Sequence, residues 1–288
     1  MKNINREEIL LPNHLACPGC GASLSMRLAL KALGRKTIIV IPACCWTVIN
    51  GPLGKNYAGV PVFHTAFETT AAVASGIKAS LNRWGENDTT VMGWAGDGGT
   101  FDIGLQALSG AAERNEDIIY VCYDNEAYMN TGVQRSSATP FGAETTTTPA
   151  PYSKVRPKKN LMEIVAAHEV PYIASATLAY PKDLIKKFDK AKNTRGFKLI
   201  HLFSPCPPGH KSREDQTVNI SKLAVETGIF PLYEIEDGEY KLSKKPKFSD
   251  VREYLSLQGR FKHITDEQID TINKNIEKRW ERLNKKFA

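Results

Sequence analysis

The length, composition and charge of the chain exclude several classes of protein. Its 288 residues are 42% hydrophobic and 24% charged, which suits a globular protein with a sizeable core in one large domain or two small ones. No apolar run approaches the ~20 residues that cross a bilayer, and charges occupy the start, where a signal peptide is apolar. We therefore predict a cytoplasmic protein that does not associate with membranes.

The net charge of +7 comes partly from lysine-rich stretches near the end of the chain. A solvated lysine-rich surface explains it more simply than a surface for an acidic partner. No DNA- or RNA-binding motif is present, so nucleic acid is not an expected partner. The six cysteines of a cytoplasmic protein indicate metal or cluster ligation, or buried thiols, before disulfides.

Short β-branched runs alternate with helical patterns along most of the chain. The patterns predict strands at 37–41, 90–94, 118–123, 172–176 and 198–203, and helices at 22–33, 68–82, 102–114, 160–168 and 181–193. This alternation predicts a doubly wound α/β domain with a mostly parallel sheet. The stretch 130–160 is rich in Thr, Pro, Gly and Ser. It is too long for an ordinary connection, which indicates a functional loop.

The pattern changes after about residue 226. Residues 228–262 show no clear periodicity, and 265–284 form a charged amphipathic pattern that predicts a helix. We divide the chain into an α/β domain at 1–226 and a C-terminal irregular and helical extension at 227–288. The extension is expected to pack either on its own domain or on a partner subunit.

Polar side chains follow two of the predicted strands. Gly96-Asp97-Gly98 comes after the strand that ends at Trp94, and Asn125 comes 28 residues after Asp97, behind the next strand. In a parallel sheet both would emerge at the carboxyl ends of strands, where ligands bind. A carboxylate and an amide or carbonyl oxygen suit Mg²⁺, and glycines here would let the backbone approach a phosphate. Gly-Asp-Gly alone is a common turn, but this pairing resembles the diphosphate–Mg²⁺ motif of thiamine diphosphate enzymes.

Five of the cysteines could converge on the same edge of the sheet. Cys44 and Cys45 follow the first strand, Cys206 follows the last strand of the domain, and Cys17-Pro-Gly-Cys20 precedes the first helix. Four thiolates suit either Zn²⁺ or an iron–sulfur cluster, and buried inert thiols are a third alternative. A one-electron acceptor beside a thiamine site favours the cluster, because zinc would have no redox role there.

Three segments resemble the beta subunit of pyruvate:ferredoxin oxidoreductase, in the 2-oxoacid:ferredoxin oxidoreductase family. They are Cys17-Pro-Gly-Cys20-Gly, Gly93-Trp-Ala-Gly-Asp-Gly-Gly-Thr-Phe-Asp-Ile-Gly104 and the long run Tyr123-Asp-Asn-Glu-Ala-Tyr-Met-Asn-Thr-Gly132. The likeness continues through 223–233 and 254–263, so it covers most of the chain. It implies the fold of thiamine diphosphate-binding domains.

The resemblance also implies roles for individual residues. A [4Fe–4S] cluster would be held by Cys17, Cys20, Cys45 and Cys206. The Mg²⁺ ligands would be Asp97, Asn125 and the carbonyl of Ala127. The cofactor would also meet Phe67, Glu68, Gly96, Gly98 and Asn130, with Asn130 facing the substrate. Cys45 matches the family better than Cys44, because it follows Cys20 by 25 residues.

The implied activity is the coenzyme A-dependent oxidative decarboxylation of pyruvate, in a reversible reaction that gives acetyl-CoA and CO₂ and passes electrons to ferredoxin. The implied partners are the alpha, gamma and delta subunits, and the glutamate that activates thiamine diphosphate would come from the alpha subunit. Oxalate or 2-oxoisovalerate is an alternative substrate on the same scaffold. An alternative of a different class is a zinc-stabilised nucleotide-binding module without redox activity.

Some residues keep two interpretations. Pro207-Pro-Gly-His210 departs from the Pro-Thr-Gly-Trp of pyruvate enzymes and leaves the substrate open. His64 suits packing or proton transfer. Arg135 suits a surface ion pair or the binding of substrate carboxylate or coenzyme A. Cys122 is expected in the core and Cys44 as a spacer.

Overall fold

The computed structural model describes residues 7–52 and 54–287. In this part of the chain one sheet contains eight strands: β1 (Thr37–Pro42), β2 (Val62–Thr65), β3 (Thr90–Gly96), β4 (Ile119–Asp124), β5 (Tyr172–Thr177), β6 (Lys198–Phe203), β7 (Leu232–Glu236) and β8 (Glu239–Lys244). The helices are α1 (Gly21–Leu33), α2 (Cys45–Ile49), α3 (Thr70–Arg83), α4 (Leu105–Glu113), α5 (Leu161–Ala166), α6 (Pro181–Asn193), α7 (Pro207–His210), α8 (Thr217–Glu226), α9 (Val251–Ser256) and α10 (Asp266–Asn284). None of the helices within these ranges is long and apolar enough to cross a membrane.

The strand order is β2-β1-β3-β4-β6-β5-β7-β8, and the first six strands are parallel. The central strands carry apolar residues on both faces because helices cover both. On one face α1 and α6 pack on the sheet through Leu30 and Phe188. On the other face α3, α4 and α5 pack on it through Ala74, Leu108 and Leu161. The predicted α/β class and mostly parallel sheet are confirmed.

The C-terminal segment continues the same sheet. Strand β7 pairs antiparallel with β5, and β8 pairs antiparallel with β7. A third apolar cluster joins α8, α9 and α10. The predicted helix at 265–284 corresponds to α10, which begins after a capping box between Thr265 and Gln268. The division at residue 226 stays a prediction.

The structure also contains elements that the sequence pattern did not indicate. Strand β2 is only four residues long. The hairpin of β7 and β8 and helix α9 lie in 228–262, where the sequence predicts irregular structure. The predicted helix at 102–114 begins earlier, because a π-helix spans Gly98–Ile103 directly after Asp97 and leads into α4. Such π-turns are rare and occur frequently at functional sites.

Candidate functional site

The three predicted Mg²⁺ ligands lie together at the carboxyl edge of the sheet. Strands β3 and β4 are neighbours and end at Gly96 and Asp124, which brings Asp97 and Asn125 side by side. The Asn125 amide contacts Asp97 Oδ1 at 2.8 Å and the Ala127 carbonyl at 2.9 Å. With its nitrogen toward these atoms the amide donates to both. With its oxygen there, three oxygen atoms face one another, an arrangement that a hard cation would stabilise.

The carboxylate of Asp97 is held on its other side. Its Oδ2 accepts a hydrogen bond from Ser136 Oγ at 2.5 Å. Burial raises the pKa of Asp97 well above its ordinary value, and the nearby Asp124 raises it further. A bound cation would have the opposite effect, because it favours the ionised form. The donor set and its buried setting therefore fit Mg²⁺, and Ser136 is a contact that no sequence pattern revealed.

The start of the π-helix leaves no room for side chains. A Cβ atom on Gly98 would lie 2.4 Å from a ring carbon of Tyr128. The Tyr128 hydroxyl donates to Asp102 Oδ2 at 2.7 Å, which fixes the ring in this place. Glycine is therefore required at position 98 on steric grounds. Gly96, the last residue of β3, lies beside the hydroxyl of Tyr123.

Two further predicted residues lie next to this glycine segment. Phe67 and Glu68 follow β2, and the Phe67 ring lies close to Gly99 and 5.9 Å from the Tyr128 ring. Asn130 lies on the exposed part of the following loop. The structure therefore brings Phe67 to the Asp97 segment, whereas Asn130 faces solvent in this chain alone.

The loop that carries Cys17 and Cys20 packs against the segment that carries Cys206. The Gly21 amide donates to the Pro205 carbonyl at 3.1 Å, and the Thr217 hydroxyl donates to the Gly19 carbonyl at 2.5 Å. Cys45 is the first residue of α2, at the end of β1. Four predicted cluster ligands therefore come from three segments at the carboxyl edge of the sheet.

The electrostatics of the thiols reflect this proximity. Burial raises the pKa of Cys206 to about 11, and Cys20 and Cys17 add to the rise. Burial also raises the pKa of Cys45, to which Cys44, Cys206 and Cys20 contribute. Thiolates this close repel one another, so their ionisation needs a positive centre, which iron or zinc would supply. Among residues 7–52 and 54–287 no three Cys, His, Asp or Glu side chains are grouped tightly enough for a single metal ion.

Cys44 and Cys122 have other environments. Cys44 precedes α2, its amide donates to Thr47 Oγ1 at 3.2 Å, and burial raises the pKa of its thiol. Cys122 is fully buried within β4. Each thiol is thus accommodated without a metal, which fits the predicted choice of Cys45 over Cys44.

The segment that departs from the pyruvate enzymes reaches the metal-binding turn. His210 is fully buried at the end of α7, and its Nε2 lies 3.1 Å from the Asn125 carbonyl. His64 and Arg135 are exposed, and the Arg135 amide donates to Thr147 Oγ1 at 2.9 Å. Roles for His64 and Arg135 in substrate or coenzyme A binding stay predictions.

Comparison with known proteins identifies the family to which this fold and this site belong. Residues 50–202 match the family described as thiamine pyrophosphate enzyme, C-terminal TPP binding domain. The chain is 52% identical to the ketoisovalerate oxidoreductase subunit VorB of Pyrococcus furiosus, over 97% of this chain and 93% of that one. It is 50% identical to the pyruvate synthase subunit PorB of Methanothermobacter thermautotrophicus, over 95% and 96%.

A solved structure shares the whole fold. The 2-oxoglutarate:ferredoxin oxidoreductase from Magnetococcus marinus superposes with a TM-score of 0.64 over 96% of each chain, at 20% identity. The protein is therefore a thiamine diphosphate-binding enzyme subunit. It belongs to the family of PorB and VorB subunits of the 2-oxoacid oxidoreductases, as the sequence resemblance indicated.

Proposed function

We propose that this chain is the thiamine diphosphate- and cluster-binding subunit of a pyruvate:ferredoxin oxidoreductase. The observation that carries the proposal is the convergence of Asp97 Oδ1, the Asn125 amide and the Ala127 carbonyl within 2.9 Å contacts. This group lies at the sheet edge that also carries the cysteines. The named relatives include a pyruvate synthase subunit at 50% identity.

The chain's own residues would bind and orient the cofactor. Asp97, Asn125 and Ala127 would hold Mg²⁺, which would supply positive charge to offset that of the diphosphate. Gly96 and Gly98 would meet the diphosphate through their backbone, and Phe67 and Glu68 would line the thiamine rings. When bound, thiamine diphosphate supplies the electron sink for decarboxylation of a 2-oxoacid.

The four cysteines would hold a [4Fe–4S] cluster that accepts electrons one at a time. Cys17, Cys20 and Cys206 lie on two segments joined by backbone and side-chain hydrogen bonds, and Cys45 lies at the neighbouring strand end. This arrangement would keep the acceptor close to the Mg²⁺ site. Ferredoxin would then receive the electrons, and coenzyme A the acetyl group.

The complete enzyme would include alpha, gamma and delta subunits. The exposed position of Asn130 suits a residue that meets substrate at a boundary with a partner. We infer that the alpha subunit supplies the glutamate that activates the cofactor. A cytoplasmic location stays a prediction from the sequence.

The identity of the 2-oxoacid substrate is a separate part of the proposal. The 52% and 50% identities to a VorB and a PorB subunit are nearly equal, so 2-oxoisovalerate is the direct competitor of pyruvate, and oxalate is a third candidate. A zinc-stabilised module without redox activity is the competitor of a different class. Each of these candidates predicts a different outcome when viologen reduction by the complex is measured.

We expect the anaerobically co-purified complex to reduce viologen in the presence of pyruvate and coenzyme A, more rapidly than with 2-oxoisovalerate or oxalate. The isolated chain is expected to lose about 10²–10⁴ in rate, the usual contribution of general acid–base catalysis, and adding the partner subunits should restore it. A higher rate with 2-oxoisovalerate would reassign the substrate. Full turnover by the isolated chain would place the activating glutamate here, with Glu68 as the first candidate.

A further inference from the structure

A group of charged side chains is buried directly behind the proposed metal-binding turn, Asp124–Ala127. Its charged members are two carboxylates and two cations, Asp124, Glu126, Lys158 and Arg260, and all are at most 13% exposed as side chains. Asp124 also contacts His201 Nε2 at 2.6 Å, and burial lowers the pKa of that histidine. Charges this deeply buried must be paired, because an unpaired one is strongly destabilising. The four charges sum to zero. The group has no part in the function proposed above.

Glu126 occupies a strained position between two proposed metal ligands. Its φ is +70°, a left-handed conformation that residues with a Cβ adopt infrequently. Asn125 and Ala127 flank it, so the backbone at Glu126 sets the direction of both their oxygens. Such a conformation persists only where the surroundings hold it in place.

Four contacts hold Glu126 in this conformation. Its amide donates to Asp124 Oδ1 at 3.0 Å, and its carbonyl accepts from the Thr139 hydroxyl at 2.7 Å. Its side chain is bonded to Lys158 Nζ at 2.9 Å and to the Arg260 guanidinium. Lys158 is shared with Asp124, so Arg260 is the cation that serves Glu126 without serving Asp124.

Arg260 is itself held in place from the C-terminal segment. Its Nε and Nη2 donate to Gln258 Oε1 at 3.1 and 2.7 Å. The Gln258 amide in turn donates to the Tyr254 carbonyl at 2.8 Å. Without Arg260, Asp124 and Glu126 would share Lys158 as their cation. The Glu126 carboxylate would then be more stable if it turned toward water. That movement would turn Asn125 and Ala127, the neighbouring proposed ligands, away from Asp97.

We propose that Arg260, oriented by Gln258, is a positioning residue that fixes the metal-binding turn through Glu126. The C-terminal segment thereby supports the proposed cofactor site through the contact between Arg260 and Glu126. The inference rests on the proposed Mg²⁺ site and adds to it the residue that shapes the site from behind.

The test is a Mg²⁺ titration of the complex at saturating thiamine diphosphate, followed by calorimetry below the melting temperature of every variant. Arg260→Met is expected to weaken apparent Mg²⁺ affinity by about 10–100-fold, the usual effect of losing a group that orients a metal ligand. Combining Arg260→Met with Glu126→Gln should weaken Mg²⁺ affinity little further, because both substitutions break the same contact between Arg260 and Glu126. The matched control is Arg252→Met, because Arg252 also lies in the C-terminal segment but is exposed and paired with Asp266 at 2.9 Å. The Mg²⁺ affinity of this variant should stay within about twofold of that of the unmodified protein.

A folded Arg260→Met protein with unchanged Mg²⁺ affinity would overturn the inference. If Arg260→Met does not fold, Gln258→Leu replaces it, since it keeps the guanidinium but removes its anchor; unchanged affinity there would overturn the inference equally. Asp97→Ala distinguishes a wrong Mg²⁺ site from a wrong role for Arg260. Loss of Mg²⁺ binding in Asp97→Ala but not in the Arg260 or Gln258 variants defeats the inference alone. Unmodified protein that binds no Mg²⁺–thiamine diphosphate defeats the proposed function and the inference together.

Discussion

Replacing Asp97 with alanine is expected to lower the affinity for Mg²⁺–thiamine diphosphate by more than about 100-fold, above the usual effect of losing a residue that only orients a ligand. Asp97 would supply the negative charge at the metal, and its Oδ1 lies 2.8 Å from the Asn125 amide. Mg²⁺ would offset the charge of the diphosphate, so loss of its Asp97 ligand should weaken cofactor binding as well. Calorimetric titration with thiamine diphosphate and Mg²⁺ measures the effect.

The same substitution should leave the cofactor-free protein at least as stable as before. Asp97 is fully buried beside another carboxylate, Asp124, and removing one of two like charges relieves repulsion. A suitable control is Asp117→Asn, because Asp117 lies at the opposite end of β4 and is paired with Lys198 at 2.6 Å. That variant should keep cofactor affinity. Unchanged cofactor affinity in Asp97→Ala would show that the metal is bound elsewhere.

Changing any one of Cys17, Cys20, Cys45 or Cys206 to serine is expected to reduce bound iron to a small fraction of the normal content. A four-iron cluster in this ligand set needs four thiolates, so the loss of one should destabilise the cluster. Iron and sulfide analysis of anaerobically purified protein, with electron paramagnetic resonance after reduction, measures the loss.

Two cysteines of the same chain are the matched controls. Cys44→Ser and Cys122→Ser should retain iron, because Cys44 lies before α2 with its amide bonded to Thr47 and Cys122 is enclosed within β4. Both substitutions keep a similar side-chain size, so any general loss of folding would appear in these controls as well. If Cys44→Ser loses iron and Cys45→Ser keeps it, the cluster ligand is Cys44 and not Cys45.

The parallel core and the metal ligands could be predicted because their signals are local. Strands covered on both faces are continuous apolar runs, so β3, β4 and β6 are visible in the sequence. Asp97 and Asn125 directly follow two such runs. Their meeting at one edge of the sheet then follows from parallel geometry, and the structure places their side chains in contact.

The supporting contacts could not be predicted because they join distant parts of the chain. Ser136 reaches Asp97 across 39 residues, and Arg260 reaches Glu126 across 134. Neither residue stands in a periodic pattern that would mark it as buried. Strand β8 could not be predicted for a different reason. It lies at the exposed edge of the sheet and is rich in lysine, and a strand in this position does not need alternating apolar residues.

Cofactor analysis of the anaerobically purified complex tests the central claim most directly. We expect about four iron atoms and four sulfides bound by this chain, together with thiamine diphosphate that is released when Mg²⁺ is chelated. Asp97→Ala should lose the thiamine diphosphate and keep the iron, while Cys45→Ser should do the reverse. A chain that contains zinc in place of iron, and that binds no thiamine diphosphate with Mg²⁺ present, would contradict the account.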